Sequence, residues 1–323
     1  MAPDLTPGSL VDVHAHFVTD AYLAAARDAG LIHPDGMAAW ASWSAEEHLA
    51  LMDEHRIATA FLSVSSPGTH FGQADATARR VTREANEFAA EVAERHPGRF
   101  GQFASLPLPD VEGALAETAY ALDVLHADGV AVESNAEGRY LGDPAFEPLW
   151  AELNARGAVV FLHPTSPCGA DHIAIGRPRP MLEFPFETTR TASDLIFNGV
   201  LRRFPAIQWI FPHGGGALPL LADRMELCRR IFGYDLDGPT LQEQLSRVWF
   251  DMAGTPFPRQ IPTLTDLVGT DRILYGSDYC WTPPHIVATQ VDDVDQAPAP
   301  AGASSWRELT TRNATRLLPR LLG

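Results

Sequence analysis

Short apolar runs alternate with longer amphipathic stretches along nearly the whole chain. The runs are rich in β-branched and aromatic residues, and most are continuously apolar, as expected of strands covered on both faces. About eight segments read as strands: 9–16, 59–64, 100–106, 129–133, 158–163, 207–213, 248–253 and 273–278. The stretches between them read as helices over 44–55, 73–95, 111–127, 146–156, 187–204, 217–232 and 259–268, and a last one over 306–322 closes the chain. Local signals support these limits. Ser44 followed by Glu46 and Glu47 has the pattern of a capping box. Pro109-Asp110 and Asp143-Pro144 place a cap or a first-turn proline at two helix starts. Strand–helix alternation of this length predicts a parallel sheet, and about eight units predict closure into one (β/α)8 TIM-like barrel, a single domain over residues 1–323. An open doubly wound sheet is the alternative, but no Gly-x-Gly-x-x-Gly follows the first strand. Two connections are long. Segment 165–186 lies on the side of the strand C-terminal ends and is a candidate lid, and 290–305 reads as an acidic surface loop without identified function.

Composition narrows the chemistry. A chain of 323 residues suits one barrel, and 46% hydrophobic content supplies a large core. The net charge of −17 argues against nucleic acid and anionic membranes as partners. No basic leader with an apolar core is visible, and no apolar run reaches the ~18 residues of a membrane span. Cys168, Cys228 and Cys280 are sparse and unpatterned, which points to a reducing, cytoplasmic setting and to packing roles. All 24 basic residues are arginine. Without lysine there is no Schiff base, no P-loop and no metal pair bridged by a carbamylated lysine.

Metal-binding residue types recur at the C-terminal ends of the predicted strands. His14 and His16 alternate on the first and so share a face. His163 ends the fifth, His213 ends the sixth ahead of three glycines, and Asp278 ends the eighth. A parallel barrel keeps its chemistry at this end. His14, His16, His163 and Asp278 are candidate ligands, with Asp278 also a candidate acid/base, and His213 reads as either a fourth ligand or a general acid/base. Three histidines and one aspartate suit one divalent ion, zinc first, with Mn²⁺ or Mg²⁺ as alternatives that prefer more oxygen donors. His70, after the second strand, and His285 are weaker candidates for facing the site. His33, His55, His96, His126 and His172 read as solvated.

Finer motifs carry a family resemblance. They are Tyr140-Leu141-Gly142-Asp143-Pro144, Phe161-Leu162-His163-Pro164, Glu187-Thr188-Thr189, His213-Gly214-Gly215-Gly216-Ala217-Leu218-Pro219 and Tyr275-Gly276-Ser277-Asp278-Tyr279. Together with the ligand pattern they resemble the amidohydrolase superfamily, and within it the aminocarboxymuconate-semialdehyde decarboxylase family. Ser65-Ser66-Pro67-Gly68-Thr69-His70, Leu106-Pro107-Leu108-Pro109-Asp110 and Pro180-Met181-Leu182-Glu183-Phe184 are most similar to its 6-methylsalicylate decarboxylases. The resemblance implies a mononuclear metal on His14, His16, His163 and Asp278, with His213 as acid/base. It also implies that Arg224 reaches a carboxylate in the neighbouring subunit's site, and hence a homodimer. Where the aminocarboxymuconate enzymes carry a second substrate arginine, this chain has His48. An imidazole does not replace an arginine fork, so an aromatic monocarboxylate is favoured over a dicarboxylate.

The expected activity is therefore metal-dependent, non-oxidative decarboxylation of a hydroxylated aromatic acid. The metal would hold the carboxylate and its neighbouring hydroxyl, and Asp278 or His213 would protonate the ring carbon. Phe186, Tyr279 and Trp281 are candidates for facing the ring. A hydrolase using the same metal centre for an ester, lactone or amide is the first alternative, and a non-catalytic metal-binding barrel is the second.

Overall fold

The computed structural model describes residues 5–6, 8–234 and 236–322. Eight parallel strands pair in chain order: β1 Leu10–His16, β2 Ile57–Ser63, β3 Phe100–Ser105, β4 Gly129–Glu133, β5 Val159–His163, β6 Gln208–Phe211, β7 Trp249–Asp251 and β8 Ile273–Leu274. The sheet closes on itself just after β8. The Val13 N–H donates to Tyr275 O at 3.0 Å and the Asp278 N–H donates to His14 O at 2.8 Å, which joins the last strand to the first. The result is the expected (β/α)8 barrel.

Ten longer helices surround it: α1 Asp20–Asp28, α2 Ala45–His55, α3 Asp75–Arg95, α4 Val111–Asp123, α5 Glu147–Arg156, α6 Glu183–Phe197, α7 Leu218–Phe232, α8 Ile261–Val268, α9 Pro284–Gln296 and α10 Trp306–Leu317. The caps read from sequence are in place. Ser44 Oγ accepts from the Glu47 N–H at 3.2 Å, and Asp110 accepts from the Gly113 N–H at 3.0 Å.

Several limits differ from expectation. Strand β8 is short: it ends at Leu274, and beyond it only isolated bridges at Tyr275 and Tyr279 continue toward β1. The helix expected over 187–204 breaks at Gly199, in the left-handed region at φ 69. Segment 290–305 is not all loop: Gln290 to Gln296 completes α9, whose Val287, Val291 and Val294 are buried at helical spacing. There, packing against the barrel outweighs an acidic composition. Among the described residues, no helix is long and apolar enough to cross a membrane.

One irregularity in β1 shapes the site. Its register against β2 runs from Asp12↔Ala60 to Ala15↔Leu62, three residues against two. Such a bulge shifts the alternation of faces by one residue. Val11 and Val13 point into the barrel with Phe61, Phe103, Phe161 and Ile210. Beyond the bulge, the His14 ring packs against the inward Phe161, with centroids 4.9 Å apart. The interior is sealed at its other end by Leu317, Leu318 and Leu321.

Candidate metal centre

His14 and His16 end β1, His163 ends β5, and Asp278 follows β8. Their donor atoms lie within 4.8 Å of one another, and the three imidazoles are buried. His14 Nε2 and His16 Nε2 lie 3.5 and 3.2 Å from Asp278 Oδ1. Both nitrogens are buried and neither has a well-formed hydrogen bond. Imidazole nitrogens aimed at a carboxylate oxygen, with nothing between, fit a divalent cation.

The shell behind these residues fixes their tautomers. Asp251, at the end of β7, lies 2.9 Å from His14 Nδ1. A proton on Nδ1 leaves the His14 Nε2 lone pair facing the cluster. The other Asp251 oxygen accepts from the backbone N–H groups of His213 and Ala253, at 2.9 and 3.0 Å. His16 Nδ1 lies 3.2 Å from Ser63 O and takes the same tautomer. His163 stands between Ser65 Oγ, 3.4 Å from Nε2, and Glu133 Oε2, 3.5 Å from Nδ1. The Asp12 carboxylate accepts from the N–H groups of His14 and Ser277, tying both sides of the seam. Gly276 is required here, since a Cβ would stand 2.7 Å from His14 Cβ.

Electrostatics suit a cation. Burial, with neighbouring imidazoles, holds His163 well below its usual range, and burial also lowers His16. Both are thus neutral lone-pair donors. Burial alone would lower His14, but the Asp251 carboxylate outweighs it and lifts the imidazole to about 9, so without an ion Nε2 holds a proton whose place a cation would take. Burial alone would raise Asp278, but its contacts with His16, His213 and His14 outweigh it and hold the carboxyl well below its usual range. The site thus pairs one firmly ionised carboxylate with three imidazoles.

His213 stands beside this set. Its Nε2 is 3.6 Å from Asp278 Oδ2, and its ring centroid lies 5.0 Å from that of His14. Its backbone, at φ 53, is in the left-handed region that non-glycine residues rarely adopt. The glycines that follow allow this turn. At Gly216, a Cβ would collide with Pro185 O.

A cavity of about 340 Å³ opens over His163, His213 and Asp278. Its far walls include Asp35, Met37, Met181, Phe184 and Trp281. The structure distributes the remaining candidates widely. Trp281 lines this cavity. His70 lines a neighbouring cavity of about 420 Å³, on which Glu133 also opens. His48 is buried on α2, accepts from Trp43 Nε1 at 3.0 Å and packs on Tyr279, with centroids 4.7 Å apart. Burial pushes it down to about 3, so it is uncharged. Neither His48 nor Tyr279 lines the cavity, and Phe186 is 44% exposed outside it. Arg224 is exposed on α7. Segment 165–186 does cover the site, since Pro180, Met181, Phe184 and Pro185 belong to its wall. Sequence reasoning passed over Glu133, although it ends a predicted strand as the histidines do, and Asp251, which ends β7 but lies within the expected run 248–253.

Fold and donor set together define a barrel with a candidate divalent-metal site at the C-terminal ends of its strands. The amidohydrolase family matches residues 11–320, and the chain belongs to that family. The chain is 37% identical to a decarboxylase, yanB, of Aspergillus niger, over 96% of this chain and 87% of the relative. It is 34% identical to a 6-methylsalicylic acid decarboxylase of Penicillium expansum, over 97% of each. A solved amidohydrolase II structure superposes with a TM-score of 0.86 at 31% identity, covering 96% of this chain and all of that one.

Proposed function

We propose that this protein is a metal-dependent, non-oxidative carboxy-lyase acting on a hydroxylated aromatic acid of the salicylate or 6-methylsalicylate type. One observation carries the reading: the four-donor cluster opens on a cavity walled by Met37, Met181, Phe184 and Trp281, suited to a flat ring. The similarity to decarboxylases along almost the whole chain supports it.

His14, His16, His163 and Asp278 would hold the ion. When bound, it supplies Lewis-acid polarisation to an oxygen-rich substrate. Loss of CO₂ from a ring carbon requires that carbon to take up a proton. Asp278 is held ionised, so it is a poor proton source near neutrality. We assign the proton to His213 Nε2, which faces Asp278 and lines the cavity. Phe184 and Met181 limit water at the reacting carbon.

Zinc is the proposed metal, from the nitrogen-rich donor set. Elemental analysis of protein purified without chelator should give one ion per chain, and two per chain would defeat the mononuclear assignment. Metal-loaded protein should release CO₂ from salicylate or 6-methylsalicylate. Hydrolysis of an ester, lactone or amide without CO₂ release from any aromatic acid would overturn the carboxy-lyase reading.

The active form is proposed to be a homodimer in a reducing, cytoplasmic setting, consistent with three free cysteines. On α7, Leu220, Arg224, Leu227 and Ile231 are exposed at spacings of four, three and four, and so share one face. This places Arg224 within an apolar stripe fit for a second subunit. Arg224 stands about 9 Å along α7 from its start at Leu218 and is exposed there without lining the cavity, which supports a role across the interface. Arg224→Ala should raise KM without loss of metal. Mixed with inactive His14→Ala protein it should regain activity, because a mixed dimer pairs a sound metal site with a sound arginine.

A further inference from the structure

His14 and His16 are oriented through their rings, by Asp251 and Ser63 on Nδ1. His213 is not. Its Nδ1 is buried without a hydrogen-bond partner. Its Nε2 stands 3.6 Å from Asp278 Oδ2, too long for a firm hydrogen bond. The aim of this ring therefore comes from the backbone that carries it. That backbone sits at φ 53, a conformation that a non-glycine residue keeps only where its surroundings hold it.

The surroundings hold it at every polar group. The His213 N–H donates to Asp251 Oδ1 at 2.9 Å. The His213 carbonyl accepts from the Gly216 N–H at 3.0 Å and also from Gln260 Nε2. The Gln260 amide presents its nitrogen here because its partner is a carbonyl oxygen. At the far end of the glycine turn, the Ala217 N–H donates to Thr189 Oγ1 at 2.8 Å, and that hydroxyl donates onward to Pro185 O at 2.8 Å. Packing repeats the pattern. A Cβ at Gly214 would stand 2.9 Å from Gln260 Cγ, and one at Gly216 would stand 3.0 Å from Thr189 Oγ1. Gln260 comes from the residue just before α8 and Thr189 from α6, so two separate elements grip the two ends of one turn.

We propose that Gln260 and Thr189 are positioning residues, which keep His213 Nε2 aimed at the reacting carbon by holding the main chain on either side of it. The assignment rests on His213 as the proton donor of the carboxy-lyase reading. It adds the groups through which that donor is held. The imidazole tip lies several bonds beyond Cα, so a small backbone rotation is amplified at Nε2, and misplacement of a reacting group by about 1 Å is enough to slow a reaction about 100-fold. Gln260 also lines the cavity, whereas Thr189 does not. A direct contact between Gln260 and substrate is thus the competing role, and it would act on KM rather than kcat.

Gln260→Met keeps the stem beside Gly214 and removes the donor. Thr189→Val keeps the branched shape and removes both hydrogen bonds. In metal-loaded protein with salicylate or 6-methylsalicylate, each should lower kcat by about 10- to 100-fold while KM and metal content stay at wild-type values. Thr189→Ser retains the hydroxyl and should recover most of what Thr189→Val loses. In a His213→Ala background either change should alter kcat by less than about twofold, since no imidazole is left to aim. Crystal structures of the folded variants should show His213 Nε2 displaced from its present 3.6 Å separation from Asp278 Oδ2. If Gln260→Met fails to fold, Thr189→Val and its serine rescue carry the test. A raised KM with unchanged kcat in Gln260→Met would make that residue a substrate contact and overturn its assignment. Losses that persist in full without His213, or an unmoved ring in the variants, would overturn the proposal as a whole. Absence of CO₂ from every acid with wild-type protein would instead remove the carboxy-lyase reading, and the position of His213 in the variant structures would still decide whether the two residues hold it.

Discussion

The two ends of the barrel both bury charged groups, and they treat them differently. At the N-terminal end, Asp128 lies just before β4 and its side chain is 1% exposed. It accepts from the Gln102 N–H at 2.8 Å and pairs with Arg320, beside the seal made by Leu317, Leu318 and Leu321. At the C-terminal end, His14 and His16 are held from behind by Asp251 and Ser63, while His14 Nε2 and His16 Nε2 are left open. One end satisfies its buried charge and closes. The other fixes the orientation of His14 and His16 and leaves their Nε2 atoms free. Buried polarity alone therefore does not mark the site. A supported side chain with an unsatisfied tip does.

The largest effects should follow from removing a ligand. His163→Ala or His14→Ala should lose both metal and turnover. A variant that retains full activity would remove that residue from the donor set. Next comes His213→Ala, which should keep its ion and lose about 10²- to 10⁴-fold in kcat. Loss of metal together with activity would make His213 a ligand instead. Asp251→Asn comes third. It weakens the acceptor behind His14, so metal affinity should fall by about 10- to 100-fold. Competition against a chromogenic chelator measures this, and unchanged affinity would show that Asp251 does not orient His14.

The smallest effect on activity should come from the opposite end. Burial pushes the Asp128 carboxyl from its ordinary 3.8 up to about 6, against the pull of Arg320. A raised folded-state value favours the native protein while the carboxyl stays protonated. That contribution is fully present below about 3.8 and is lost as pH rises through about 6. The wild type should thus lose up to about 3 kcal/mol between pH 4 and 7 that Asp128→Asn does not lose. Thermal unfolding of both proteins across this range tests the sign. A parallel pair of curves would show that Asp128 does not titrate there. The kcat of Asp128→Asn should match the wild type, and a large drop would break the separation between the two ends.

The sequence made the barrel readable because continuous apolar runs and amphipathic stretches carry different periodicities. Four donors were readable because each ends a run. The positions of α1 and α9 were not, since their stability comes from packing on the barrel. The β1 bulge left no signal at all, as it depends on how β1 meets β2 and the segment after β8. Gln260 was hidden for a similar reason. It lies just before α8, and only the folded chain brings it to the His213 carbonyl.

The seam between β1 and β8 carries a consequence for how the molecule assembles. The Asp12–Ser277 hydrogen bond that ties it joins positions 265 residues apart. Contacts between such distant parts of a chain carry the greatest loop-closure cost, so they form late. His14 and His16 stand on one side of that seam and Asp278 on the other. An intermediate with most strands paired but the first and last still apart would contain every donor and no site. Metal uptake would therefore report completion of the fold, lagging behind the growth of secondary structure in a refolding experiment.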